Sequence, residues 1–191
     1  MTQSPNLIII FGPPAVGKMT VGHALSKQIG YPLFHNHMAI EMVLPFFQYG
    51  HPSFHQLVKT FRQSIFDEII KTKAHQGLIF TWVWSLENGG DKAYIDQLKA
   101  QFESPGGQVY FVELEAHLDT LLTHNKSEFR LKNKPSKRNL EASENNLRQT
   151  IKTHQLNTQD SFFYPDHHLK CRTDQQSPPD LAKKIKSFFD L

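Results

Sequence analysis

Residues 7–20 constrain this chain more tightly than any other stretch. Leu7-Ile8-Ile9-Ile10-Phe11 is an unbroken apolar run, the pattern of a strand buried on both faces. It feeds into Gly12-Pro13-Pro14-Ala15-Val16-Gly17-Lys18-Met19-Thr20. Beyond that turn, Val21, Ala24, Leu25 and Ile29 recur at helical spacing, and Gly30 stands where a helix C-cap belongs. Strand, glycine turn, lysine and helix in that order make an anion site. The glycines let the backbone curl until several N–H groups point inward. The helix N-terminus adds unpaired donors and partial positive charge. Lys18 contributes a full charge placed to reach the outer phosphates of a nucleotide, and Thr20 a hydroxyl. A glycine turn in a nucleotide-free sheet is the plainer alternative; the flanking strand and helix argue against it.

The rest of the chain supplies a matching frame. Its 191 residues fit one α/β domain, 1–191, with room for a lid or small insert. Short apolar strands at 31–34, 78–84, 109–114 and 168–172 alternate with helical patterns at 53–71, 116–124, 141–155 and 180–189. That alternation predicts a parallel sheet covered on both faces. Two segments fall outside it: 36–52, after the second strand, and the polar, basic stretch 126–139. No apolar run approaches the roughly 20 residues needed to span a bilayer. Residues 1–11 lack the basic start and cleavage site of a signal peptide, so a cytoplasmic location is expected. A single cysteine, Cys171, excludes an intrachain disulfide. The net charge of +3 is too small to argue for nucleic acid. It is unevenly spread, however: five of the nine residues in 130–138 are Lys or Arg.

The turn Gly12-Pro13-Pro14-Ala15-Val16-Gly17-Lys18-Met19-Thr20 resembles the Gly-Pro-Pro-Gly-x-Gly-Lys-Gly-Thr loop of adenylate kinases, and the whole chain is similar to the small P-loop kinases: nucleoside monophosphate, shikimate and gluconate kinases and chloramphenicol phosphotransferase. The resemblance implies an α/β P-loop NTPase fold, with a five-stranded parallel sheet in order 2-3-1-4-5, helices on both faces and a lid at 126–139. It implies ATP and Mg²⁺ as cofactors, a small-molecule acceptor bound by 36–75, and a monomer or homodimer without nucleic-acid or membrane partners. Gly12, Pro13, Ala15, Val16, Gly17, Lys18, Met19 and Thr20 then become the nucleotide site. Met19 stands where the strict motif has the metal-binding hydroxyl, so Thr20 is expected to meet the metal only through water, as in adenylate kinases.

Strand two departs from the pattern. Shikimate and gluconate kinases end it with paired aspartates; here the residues are His35-Asn36-His37, then Glu41. His37 or His35 could serve as general base, or merely bind substrate. His-x-His is also a zinc spacing, though no third ligand stands at a recognised distance. Phe61-Arg62 resembles the shikimate kinase pair whose arginine meets a substrate carboxylate, against the alternative of an exposed helical arginine. No aspartate closes the strand at 78–84; Glu87 and Asp91 follow it and could substitute. Trp82 reads as packing, and Trp84 as a candidate pocket wall. In the basic segment, Arg130 and Arg138 are chosen for phosphate contact because a guanidinium fork grips two oxygens, with Lys132, Lys134 and Lys137 beside them. A solvated basic loop and a nucleic-acid patch are the alternatives. Residues 172–176 resemble the loop that lines adenine in these kinases.

Overall fold

The computed structural model describes residues 4–191; the part of the leader reading that rests on residues 1–3 lies outside them. Five strands form one parallel sheet: β1 (Asn6–Phe11), β2 (Leu33–His35), β3 (Gly77–Thr81), β4 (Val109–Glu115) and β5 (His168–Arg172). Their order is β2-β3-β1-β4-β5, as the resemblance implied. The central strand is the apolar run itself, with Ile9 opposite Phe80 on one side and Phe111 on the other.

Strand alternation sorts the core into two layers. Leu7, Ile9 and Phe11 face a cluster completed by α2 (His37–Val43), α3 (Pro52–Thr72) and α4 (Gly89–Glu103). Ile8 and Ile10 face the opposite cluster, built from α1 (Lys18–Ile29) and α8 (Pro178–Phe189). Leu121 of α5 (Leu118–Asn125) and Leu147 of α7 (Leu140–Thr153) join that second layer. Helix ends follow local chemistry. Gly30 closes α1 in a left-handed conformation, its N–H bonded to the Ser26 carbonyl. Ser177 caps α8 just before Pro178-Pro179.

Three differences from the sequence reading matter for the site. The third strand stops at Thr81 rather than running to residue 84. Only the Trp82 N–H continues the ladder, to the Ile10 carbonyl. Helix α4 was not anticipated: it starts on two glycines and buries only Ile95, Leu98 and Phe102, a thin apolar signal, with Asn88 capping Gly90 and Asp91. The two excursions are partly helical. Segment 36–52 carries α2, and 126–139 carries α6 (Glu128–Asn133) and a 3-10 turn, Pro135–Lys137. No described helix is long and apolar enough to cross a membrane.

Candidate functional site

A cleft of about 1060 Å³ opens at the carboxyl ends of the strands, where ligands bind in open α/β sheets. Its floor is the turn between β1 and α1. Gly17, at φ 102°, occupies the left-handed region immediately before the helix, and no side chain caps α1. The first N–H groups of the helix are therefore left for a ligand. Ala15 also sits left-handed, at φ 63°, although it carries a methyl group; its carbonyl accepts from His124 Nδ1 at 3.2 Å. Lys18 donates to the carbonyls of Gly12 and Pro13 at 2.6 and 2.7 Å, which folds its ammonium over the loop.

Residues 14–21 line the cleft; Gly12 and Pro13 are buried and are not among the lining residues, meeting the site through their carbonyls on the Lys18 ammonium. Gly12 is required for packing. At φ 133°, a Cβ there would stand 2.2 Å from the Leu114 carbonyl oxygen of β4. Gly17 is the glycine of the anion site, with only the Thr173 side chain near its missing Cβ.

Over this floor the basic segment brings Arg130, Lys134 and Lys137 to the cleft wall. Arg130 is only 8% exposed, and its Nε lacks a hydrogen-bond partner. Burial holds the Lys18 ammonium well below its ordinary range, and the nearby charges of Lys134 and Arg130 lower it further. Burial with the fields of Arg130 and Lys137 brings Lys134 to about 7, the Glu41 charge opposing them. Burial lowers Arg130 to about 10. Among the described residues none of these four cations has a carboxylate within ion-pair distance. Desolvated like charges facing one another require an anion. Arg138 is not among the lining residues; it is exposed and its Nε donates to the Leu131 carbonyl, a local brace of the turn. Lysines take the place expected for that second guanidinium.

The opposite wall comes from β2, α2, α3 and the end of β3. Arg62 lies on the buried row Phe54, Val58, Arg62, Phe66, at spacing four, and is 8% exposed. It is therefore not a solvated helical arginine. One Nη donates to Asn36 Oδ1, the guanidinium stacks 4.9 Å from the Trp82 ring, and Nε has no partner. The Asn36 N–H donates to Thr81 Oγ1 at 3.0 Å, so the ends of β2 and β3 and the middle of α3 form one frame. Ile40, Tyr49, Phe54 and Val58 add apolar surface.

Trp82 packs on Phe80 and Tyr94 as expected, and Trp84 is not the expected pocket wall. Trp82 also lines the cleft beneath Arg62, whereas Trp84 is 0% exposed, packed against Phe11, Phe111 and Phe162. The chain leaves the sheet at Thr81 and turns inward, which carries residue 84 into the core. The two histidines divide as well. Strand alternation sends Phe34 to the α3 face and Leu33 to the α1 face. His35, two residues after Leu33, follows it there, buried and not among the lining residues, though within reach of the Lys134 charge. His37, the first residue of α2, lines the cleft. Burial lowers its ring to about 4, with Lys134 and Lys137 acting the same way and the Glu41 hydrogen bond opposing them. At neutral pH the ring is uncharged and able to accept a proton.

Among the described residues no three His, Cys, Asp or Glu side chains converge as metal ligands, so the zinc reading of His35 and His37 finds no third partner. The oxygen donors on the cleft wall include the Thr20 hydroxyl and the carboxylate of Asp91, the one acidic residue among those lining it, which accepts from the Ser85 N–H at 3.0 Å. A lone carboxylate suits a Mg²⁺ that keeps most of its waters. Glu87, the other candidate, is turned away to His154 and the Gln155 N–H. Thr173 and Gln176, from the stretch expected to line adenine, also line the cleft, with Thr173 beside Gly17.

No family model matches the chain, and no curated protein sequence does. Solved structures do. A chain from Chloroflexus aurantiacus superposes with a TM-score of 0.67 at 17% identity, covering 97% of this chain and 98% of its own. A sugar kinase from Janibacter gives 0.61 at 17%, covering 97% and 95%. The shikimate kinase of Acinetobacter baumannii, solved with shikimate, gives 0.56 at 19%, covering 99% and 95%. The APS kinase of Mycobacterium tuberculosis, solved with AMPPNP and APS, gives 0.59 at 12%, covering 99% of each chain. The architecture is the small P-loop kinase fold, over the full length of the described chain.

Proposed function

We propose that this protein is an ATP-dependent kinase of a small acceptor bearing an anionic group. One observation carries the reading: four partly buried cations, Lys18, Arg130, Lys134 and Lys137, converge without carboxylate partners over a helix N-terminus whose turn is already curled. Polyphosphate is the ligand that satisfies all of them.

The chain's own groups then have distinct tasks. The amides of the turn and Lys18 hold the phosphates. Arg130, Lys134 and Lys137 face the charge that spreads over the transferred group in the transition state. Segment 126–139 acts as the lid, which excludes water that would otherwise take the phosphoryl group. Mg²⁺, held beside Thr20 and Asp91 largely through waters, would neutralise phosphate charge. On the acceptor side Arg62 holds a carboxylate or phosphate, its unpartnered Nε being the donor left over for it. His37 is the only imidazole of strand two's end on the cleft wall and takes the acceptor hydroxyl's proton. A weak base suffices, because a loose phosphoryl-transfer transition state asks little of it.

The test is direct. Lys18→Ala is expected to fold normally and to lose MgATP affinity by about a hundredfold, the value of a charge-assisted contact in a partly dry site; calorimetric titration reads it. Normal ATP affinity in that variant overturns the site. A screen of hydroxy acids and phosphorylated metabolites, read as acceptor-dependent ADP release, tests the transfer itself. Absence of an aspartate at the ends of β2 and β3 favours a second reading, nucleotide binding without transfer. ATP affinity with no acceptor-dependent ADP would select it.

A further inference from the structure

Glu41 stands on α2 one turn beyond His37, and its carboxylate is shared between two parts of the molecule 95 residues apart in sequence. Oε1 meets His37 Nδ1 at 3.1 Å. The same carboxylate accepts from the Ser136 hydroxyl and, through Oε2 at 3.2 Å, from the Ser136 N–H. Ser136 is the middle residue of the 3-10 turn that carries Lys137 and follows Lys134. No sequence pattern assigned a role to this glutamate.

The bonding has a chemical consequence. A carboxylate can only accept, so His37 must hold its proton on Nδ1 and present Nε2 as the acceptor. In a free neutral imidazole the proton prefers the other nitrogen, which would leave the wrong atom available. The groups whose charge reaches this spot are His35, His37, Lys134 and Lys137, all of which feel the Glu41 charge. Glu41 is thus the acidic member of an otherwise cationic neighbourhood.

We infer that Glu41 is a positioning residue that ties the orientation of His37 to the closed placement of residues 126–139. With Ser136 seated, both oxygens are engaged and the carboxylate is fixed under the imidazole. With the segment lifted, Glu41 keeps one partner and is free to rotate. The inference rests on the proposed kinase reading for its purpose, but not for its geometry.

The experiment uses nucleotide-free full-length protein labelled with ¹⁵N. Imidazole nitrogen shifts report the His37 tautomer, assigned by the signals lost in His37→Gln. Wild type is expected in the Nδ1–H form, Glu41→Gln to retain it through the amide oxygen, and Glu41→Ala to move to the Nε2–H form. In parallel, trypsin cleavage after Lys132 and Lys137 reports exposure of the segment. It is expected to quicken about tenfold in Glu41→Ala and less in Ser136→Ala, which keeps its N–H donor. An unchanged tautomer in Glu41→Ala overturns the positioning role, and unchanged cleavage in both variants overturns the tie to the segment. Should Glu41→Ala not fold, retention of the Nδ1–H form together with unaltered cleavage in Ser136→Ala would overturn it equally. Failure of the kinase reading would show separately, as wild type that does not bind MgAMPPNP.

Discussion

Two glycines of one turn fail differently when a methyl group is added. In Gly12→Ala the Cβ meets backbone of β4 at 2.2 Å, which cannot yield. The variant is expected to lose about 3 kcal/mol or more of stability, read by urea denaturation. In Gly17→Ala there is space, but φ 102° is strained for alanine. It should keep most of its stability and lose ATP affinity. Lys134 gives a signature in pH. The unfolded chain keeps its proton to about 10.5, whereas the folded, empty protein releases it near 7. The unfolded state therefore binds more protons between those values, and the empty protein gains stability as pH rises from about 7 to about 10.5. A polyphosphate reverses the local field. Binding of MgATP at pH 8 should take up protons, seen as a buffer-dependent heat, and affinity should fall as pH rises; Lys134→Met should abolish most of this. Residue identity made the turn legible in the sequence, because Gly17 and Lys18 act through local chain geometry. It misplaced Trp84, His35 and Arg138, whose directions depend on where the strands end and how neighbours pack.

At the scale of elements, α3 shows why Arg62 was ambiguous. Its apolar residues cover more than one face: Leu57 is 42% exposed, whereas Phe54 and Val58 are buried. Only packing against β2 and β3 selects the row at spacing four that buries the arginine. Arg62→Leu is expected to preserve the fold and ATP binding while abolishing acceptor-dependent ADP release, so that kcat/KM for the acceptor falls at least about a hundredfold. The strand β4 carries a different buried charge. Glu113, fully enclosed, accepts from Asn157, Thr158 and His168 and lies 3.3 Å from Lys170. Burial alone would raise its carboxyl, but those hydrogen bonds outweigh it and hold it at about 2. The stability it contributes is present above about 4.5 and is lost as pH falls toward 2. Glu113→Gln should cost about 2 kcal/mol at neutral pH and progressively less in acid, measured by denaturation across that range. The loop after α7, whose residues 156–167 sequence periodicity left undescribed, is pinned to the sheet by this group.

The molecule as a whole was the most legible level. Alternating strands and helices imply a parallel sheet, and a central strand buried on both faces follows from five apolar residues in a row. What could not be read is the far wall of the cleft, because its parts come from α2, α3, the end of β3 and the basic segment, which meet only after folding. The crowding of Lys18, Arg130, Lys134 and Lys137 also has a consequence for the empty protein. Like charges gathered there push one another apart, against the Ser136–Glu41 hydrogen bonds that link the basic segment to α2. Dilute buffer, with its long Debye length, should let the cleft gape; added sodium chloride should let it settle. A small multivalent ion such as pyrophosphate should do at micromolar levels what the monovalent salt does only near physiological strength, so that compaction by anions would depend on valence before it depended on chemical identity.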